Sequence, residues 1–123
     1  MKYLILIYQN PQSRKLWDSF SDERRAAGLH AYALLNEELA ASGELIAAEA
    51  VADPELAKHV TLRDGRAIAS DGPFAEAKEQ LAGFYFVDCA SLDRAIEIAG
   101  RIPEAALGMI EVRPIMTYAG LEM

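Results

Sequence analysis

Tyr3-Leu4-Ile5-Leu6-Ile7-Tyr8 forms an unbroken apolar run near the start of the chain, the pattern of a strand buried on both faces at the centre of a sheet. Gln9, Asn10 and Pro11 break it. The stretch from Asn10 to Phe20 is polar and reads as a surface loop, with Trp17 and Phe20 anchoring it to the core. At Ser21 the period changes. Ser21 offers a cap, Asp22 and Glu23 place negative charge in a first helical turn, and Leu29, Tyr32, Ala33, Leu35, Leu39 and Ala40 follow helical spacing up to Gly43. Glu44 to Val51 predicts a second, weaker strand, because alanine fits a pleated surface poorly, and Asp53-Pro54 ends it.

From His59 to Ser70 the chain alternates, with Val60, Leu62 and Ile68 assigned to one face of a hairpin whose tip is Asp64-Gly65. Gly83 to Cys89 is a further strand. Ser91 then starts a helix in which Leu92, Ala95, Ile96, Ala99 and Ile102 are expected to face the core, and Pro103 stops it. Met109 to Ile115 alternates apolar and charged residues and closes the sheet. The order is that of a single α+β domain over residues 1–123, a ferredoxin-like βαββαβ fold with a hairpin added in the middle. Two helices on one face of an antiparallel sheet leave the other face bare. A second subunit packed there would cover it, so the pattern predicts a homodimer.

Composition adds exclusions. With 52% hydrophobic and 25% charged residues the chain is an ordinary globular protein, and its net charge of −7 opposes any grip on nucleic acid or on an anionic membrane. The single cysteine, Cys89, has no internal partner and ends an apolar strand, which predicts a buried thiol in a reducing compartment. The apolar run ending at Tyr8 is too short for a signal-peptide core or a membrane span, so the expected location is the cytoplasm.

The most distinctive segment runs from Ser70-Asp71-Gly72-Pro73-Phe74 through Glu76, Lys78 and Glu79 into Gly83-Phe84-Tyr85-Phe86-Val87-Asp88. Asp-Gly-Pro is strong turn chemistry that aims the charged residues following it. This segment resembles the signature of the DGPF branch of the YCII-related family. The opening Met1 to Tyr8, Glu37 to Gly43, Glu49-Ala50-Val51 and Ile110 to Ile115 fall in that family's order as well, so the resemblance covers nearly the whole chain. It implies a dimeric α+β barrel and carries little information about substrate. In YCII proteins outside this branch, a histidine near the start of the first helix pairs with an aspartate as an acid/base site. Counting back from Gly43 puts Tyr32 in that slot, with His30 two residues earlier on a different helix face, which leaves the transfer of that chemistry open.

Each candidate site residue has a structural reading and a chemical one. Glu49, among small apolar residues, is either a solvated or ion-paired carboxylate or a general base sharing a pocket with Lys78. Asp71 is a turn cap or a charge at a pocket mouth. Phe74 packs across an interface or walls a pocket, and Lys78 and Glu79 are a solvated charge pair or ligand contacts. Tyr32 is a core tyrosine or a hydrogen-bond and proton donor, and Tyr8 is expected to line the same pocket, between the first long helix and the sheet. His30 and His59 lie in different elements without metal-ligand spacing, and there is no phosphate-binding glycine loop, dinucleotide fingerprint or nucleophile elbow. Neither a metal nor another cofactor is expected.

Two functions compete. One is a small protein that binds or transforms a small molecule, cyclic or aromatic by analogy with related dimers, through lyase- or isomerase-type acid–base chemistry; a YCII relative is a dehydrochlorinase of a hydroxylated aromatic. The other is a non-catalytic accessory or sensor protein, because proteins of the DGPF branch resemble products encoded beside alternative sigma factors. The sequence leaves open whether the chain is an enzyme.

Overall fold

The computed structural model describes residues 1–72 and 78–116. Strand β1 (Lys2–Gln9) is followed by helices α1 (Pro11–Ser19) and α2 (Asp22–Ser42), and then by β2 (Leu45–Ala50). A 3₁₀ turn at Pro54–Leu56 leads into the hairpin β3 (Lys58–Arg63) and β4 (Arg66–Asp71). After the signature segment come β5 (Gln80–Asp88), α3 (Leu92–Gly100), a second 3₁₀ turn at Pro103–Leu107 and β6 (Ile110–Pro114). The four-stranded sheet is antiparallel throughout, in the order β2-β5-β1-β6. The architecture is the ferredoxin-like α+β fold read from the sequence, with β3 and β4 as a separate two-stranded sheet.

Strand β1 is central, as its apolar run predicts, but its two faces differ. Tyr3, Ile5 and Ile7 are buried against Leu35 and Leu39 of α2 and Ala95, Ile98 and Ala99 of α3, with Tyr85 and Val87 of β5 in the same cluster. Leu4, Leu6 and Tyr8, on the opposite face, are half-buried. Cys89 is a buried, free thiol at the edge of the core.

Several expectations need correction. Residues Pro11–Ser19 form a helix rather than a loop: the Asn10 side chain accepts from the Ser13 amide at 2.7 Å, and the Ser13 hydroxyl in turn accepts from the Asn10 amide at 2.9 Å. Pro11 sits in the first turn, where its missing N–H costs nothing. In α3 the inward face is Ala95, Ile98 and Ala99, continued by Ile102, whereas Leu92 and Ile96 are exposed. Leu29 of α2 is exposed too. In the hairpin, Ile68 lies opposite Thr61, which puts it on the face away from Val60 and Leu62. The tip matches expectation, with Asp64 and Gly65 at φ 52° and 76°, the double positive φ that a tight two-residue turn demands.

One ion-pair cluster ties the helical layer to the sheet. Arg94 Nε and Nη2 donate to the two carboxylate oxygens of Glu44, each at 2.9 Å, while the Ser42 hydroxyl donates to Glu44 at 2.8 Å. The Arg94 guanidinium first, and Ser42 second, pull the Glu44 carboxyl down to about 2. A carboxyl held below its unfolded value stabilises the fold above that value and loses the contribution as pH falls through the folded one. The expected result is about 1–2 kcal/mol of stability that fades between about pH 4.5 and pH 2 and is missing at all pH values in Glu44→Gln. Urea unfolding of both proteins at pH 7 and pH 3 checks this. Equal acid sensitivity in both would refute it.

Candidate functional site

The sheet ends in a groove where β1 finishes and β5 and β6 begin. A register shift between Ile7 and Tyr8, opposite Gly83 and Leu81, bends this end of the sheet, and the Tyr8 amide donates to the Met109 carbonyl at 2.9 Å. The chain reaches β6 through the turn at Gly108. The resulting open cleft, of about 330 Å³, is lined by Tyr8, Glu79, Gly108, Met109, Ile110 and Glu111. Across it the Tyr8 hydroxyl donates to Glu111 Oε1 at 3.3 Å. Burial, followed by the nearby Glu111 charge, raises the Tyr8 pKa, so the phenol stays protonated as a donor. The groove thus combines one phenolic donor, two carboxylates and a thioether wall.

A second polar cluster lies on the helical side of the sheet. Tyr32 and Asn36, one turn apart on α2, face Tyr85 of β5 and Glu104 of the second 3₁₀ turn. The Tyr32 hydroxyl donates to Glu104 and the Tyr85 hydroxyl donates to Asn36. The two tyrosine rings stack with centroids 6.4 Å apart and an 11° interplanar angle. Burial, then the hydrogen bond to Glu104, pushes the Tyr32 pKa far up, and burial, then the Glu104 charge, raises Tyr85 to about 12. Both phenols remain donors at any physiological pH, and their acceptors are Glu104 and Asn36.

Of the residues singled out in the sequence, Tyr8 and Glu79 meet in the groove, while Tyr32 belongs to the second cluster. Glu49 sits exposed on β2, the sheet's edge strand, opposite Phe84. Asp71 pairs with Lys58 across the exposed hairpin, Lys78 is exposed, and Phe74 lies outside the described residues. Sequence reasoning missed Glu111, Glu104, Asn36 and Tyr85 as site residues. Glu111 and Tyr85 both fall in the segments that carry the family resemblance, which was the signal available. Among the described residues no helix is long and apolar enough to cross a membrane.

The model of the YCII-related domain matches residues 1–119. The chain belongs to the YCII-related family. A relative from Rhizobium meliloti (strain 1021), the uncharacterized protein R00369, is 36% identical over 120 residues, which cover 96% of this chain and 94% of the relative. The family assignment carries the fold and the order of the elements around the groove. At the position that the sequence analysis set against the family's histidine, the Tyr32 hydroxyl donates to a carboxylate, that of Glu104.

Proposed function

We propose that this YCII-related protein works as a cytoplasmic homodimer that binds a small organic molecule, cyclic or aromatic, in the groove at the end of β1. The observation that carries this reading is the convergence of Tyr8, Glu79 and Glu111, from three separate strand ends, on one cleft in which the Tyr8 hydroxyl is already engaged with Glu111. The Tyr8 ring and Met109 supply apolar surface, the phenol donates a hydrogen bond, and the carboxylates accept from hydroxyl or amine groups of the ligand. Lys78, exposed beside Glu79, puts a cation next to the mouth of the groove. Glu49, on the opposite edge strand β2, is separated from Glu111 by Phe84 and Leu6. Tyr32 acts at one remove: it binds Glu104, whose backbone carbonyl takes the Met109 amide at 3.2 Å and so fixes one wall. The same groove suits lyase- or isomerase-type proton transfer, with Glu111 as base and Tyr8 as the orienting donor.

Screening a panel of small cyclic and aromatic acids, alcohols and amines by thermal shift tests the proposal. At least one compound is expected to raise the melting temperature of the wild-type protein, and that shift should vanish in Tyr8→Phe and in Glu111→Gln, both of which stay folded because the two side chains lie outside the core. Ligand-induced shifts unaltered by either substitution would remove the groove from consideration.

A second reading rests on a different observation. The β3–β4 hairpin stands free of the main sheet with Val60 59% and Leu62 75% exposed and Arg63 and Arg66 at its tip. An apolar arm with a basic end favours a protein partner, as an accessory or sensor role in alternative sigma-factor regulation requires. Loss of partner capture on Leu62→Asp, with ligand-induced thermal shifts retained, would favour that role.

A further inference from the structure

The groove at the end of β1 presents hydrogen-bond acceptors and has no side-chain donor to spare. Its polar side chains are Tyr8, Glu79 and Glu111; Gly108, Met109 and Ile110 complete the lining. The phenol's proton is already engaged by Glu111 Oε1 at 3.3 Å, which leaves the Tyr8 oxygen, the second oxygen of Glu111 and the Glu79 carboxylate as acceptors from three separate residues. Among the described residues neither glutamate is in an ion pair. The wall behind them is fixed, because the Met109 carbonyl accepts from the Tyr8 amide at 2.9 Å and the Met109 amide donates to the Glu104 carbonyl at 3.2 Å.

The charges nearby decide which sign of ligand this arrangement prefers. Arg113 follows Glu111 on the same face of β6, and Lys78 precedes Glu79, but neither lines the cleft. At the Tyr8 hydroxyl the Glu111 charge outweighs that of Arg113. Lys2 and Asp88 oppose each other at the other end of β1, about 20 Å from Tyr8 at the rise of an extended strand, and Glu49, beyond Leu6 and Phe84 on β2, adds a further negative charge. The chain as a whole carries −7, so its long-range field has the same sign as the groove. A carboxylate ligand would meet two carboxylates and a hydroxyl that has already donated. A divalent cation needs about six oxygen ligands, and among the described residues no group of three acidic, histidine or cysteine side chains is placed to hold one. A primary ammonium fits: it brings three N–H donors and no acceptor, and the Tyr8 ring and Met109 offer apolar surface to its carbon skeleton.

We infer that the groove selects a protonated primary amine on a cyclic or aromatic body, held by Glu111, Glu79 and the Tyr8 oxygen against the Met109 wall. This rests on the ligand groove proposed above and narrows its occupant from acids, alcohols and amines to amines. Tyr8 then has two tasks: its proton orients Glu111, and its oxygen accepts one ammonium N–H.

Three probes of matched size and different charge test the class: benzylamine, cationic at pH 7, benzyl alcohol, which is neutral, and benzoate, an anion. NMR titration follows binding through the amide signals of Gly108, Met109 and Ile110. Two exposed carboxylates that each contribute about threefold should make benzylamine bind about tenfold tighter than benzyl alcohol, with benzoate weaker than either, and added salt should narrow the gap. Glu79→Gln and Glu111→Gln should each weaken benzylamine about threefold and affect benzyl alcohol less. Circular dichroism verifies that both variants fold, and the comparison of probes on the wild-type chain stands without them. Benzyl alcohol or benzoate binding as tightly as benzylamine at the same three amides overturns the amine class and leaves the groove standing. Benzylamine affinity unmoved by both substitutions in folded variants overturns the assignment to these carboxylates. Binding of none of the three probes, or shifts confined to amides remote from the groove, overturns the groove and the amine class together.

Discussion

Gly83→Ala should destabilise the protein by about 3 kcal/mol and loosen the β2 edge of the sheet. A methyl group at Gly83 would come within 2.8 Å of the Glu49 carbonyl oxygen and 3.3 Å of the Ala50 Cα, both backbone atoms of the neighbouring strand. A flexible side chain could swing away from such an approach, but a paired strand has to move as a unit. Overpacking of this kind typically costs about 1–3 kcal/mol, and displacement of β2 adds lost ladder hydrogen bonds. The contrast is Gly100→Ala at the end of α3, where nothing lies within 4 Å of the added methyl and alanine's helix propensity predicts a gain of up to about 1 kcal/mol. Urea unfolding separates the two. Hydrogen exchange should show the Ala48 to Ala50 amides opening faster in Gly83→Ala alone. If both substitutions behave alike, the close approach of β5 to Glu49 is not what keeps glycine in this segment.

That close approach also bears on what the sequence could disclose. The run from Gly83 to Asp88 was legible as a strand because its residues are apolar and aromatic, and β1 was legible as central for the same reason. What the run could not show is that its two faces have different fates, since Phe84 and Phe86 look as apolar as Tyr85 and Val87. Only the register against β1 puts the first pair outside and the second pair in the core. Helix α1 was missed because Leu16 and Trp17 are too few to set a period and remain 40% exposed. Its stability comes from the Asn10–Ser13 capping box, in which serine takes the place usually held by a glutamate or glutamine. Ile96 misled for a related reason: aliphatic residues recur on both flanks of α3, so Ala95, Ala99 and Ile102 were placed inward correctly but Ile96 was taken in place of Ile98. The groove was half legible. Tyr8 and Glu79 were singled out, but Glu111 acquires meaning only from the adjacency of β6 and β1, which alternation along a strand does not reveal. Glu104 escaped because it follows a proline in what reads as a helix stop, and its role depends on a 3₁₀ turn that folds it back against α2.

In the homodimer proposed above, Phe86→Arg should separate the two subunits, the largest effect on association expected of any single substitution. Phe86 lies on the face away from the helices, between Ala47 and Leu4 and one row from Phe84, so it contributes little to the core formed by Tyr85, Val87 and the helical residues. In a face-to-face dimer it occupies the centre of the interface, and two-fold symmetry uses it twice. Truncation of a central interface aromatic commonly costs about 2–4 kcal/mol, and a buried, unpaired guanidinium adds to that. Two such losses per dimer correspond to an increase in the dissociation constant of about a thousandfold or more. The monomer should still fold, with near-native circular dichroism, but should melt at a lower temperature that no longer rises with protein concentration. Retention of the dimer by Phe86→Arg would exclude this sheet face as the interface.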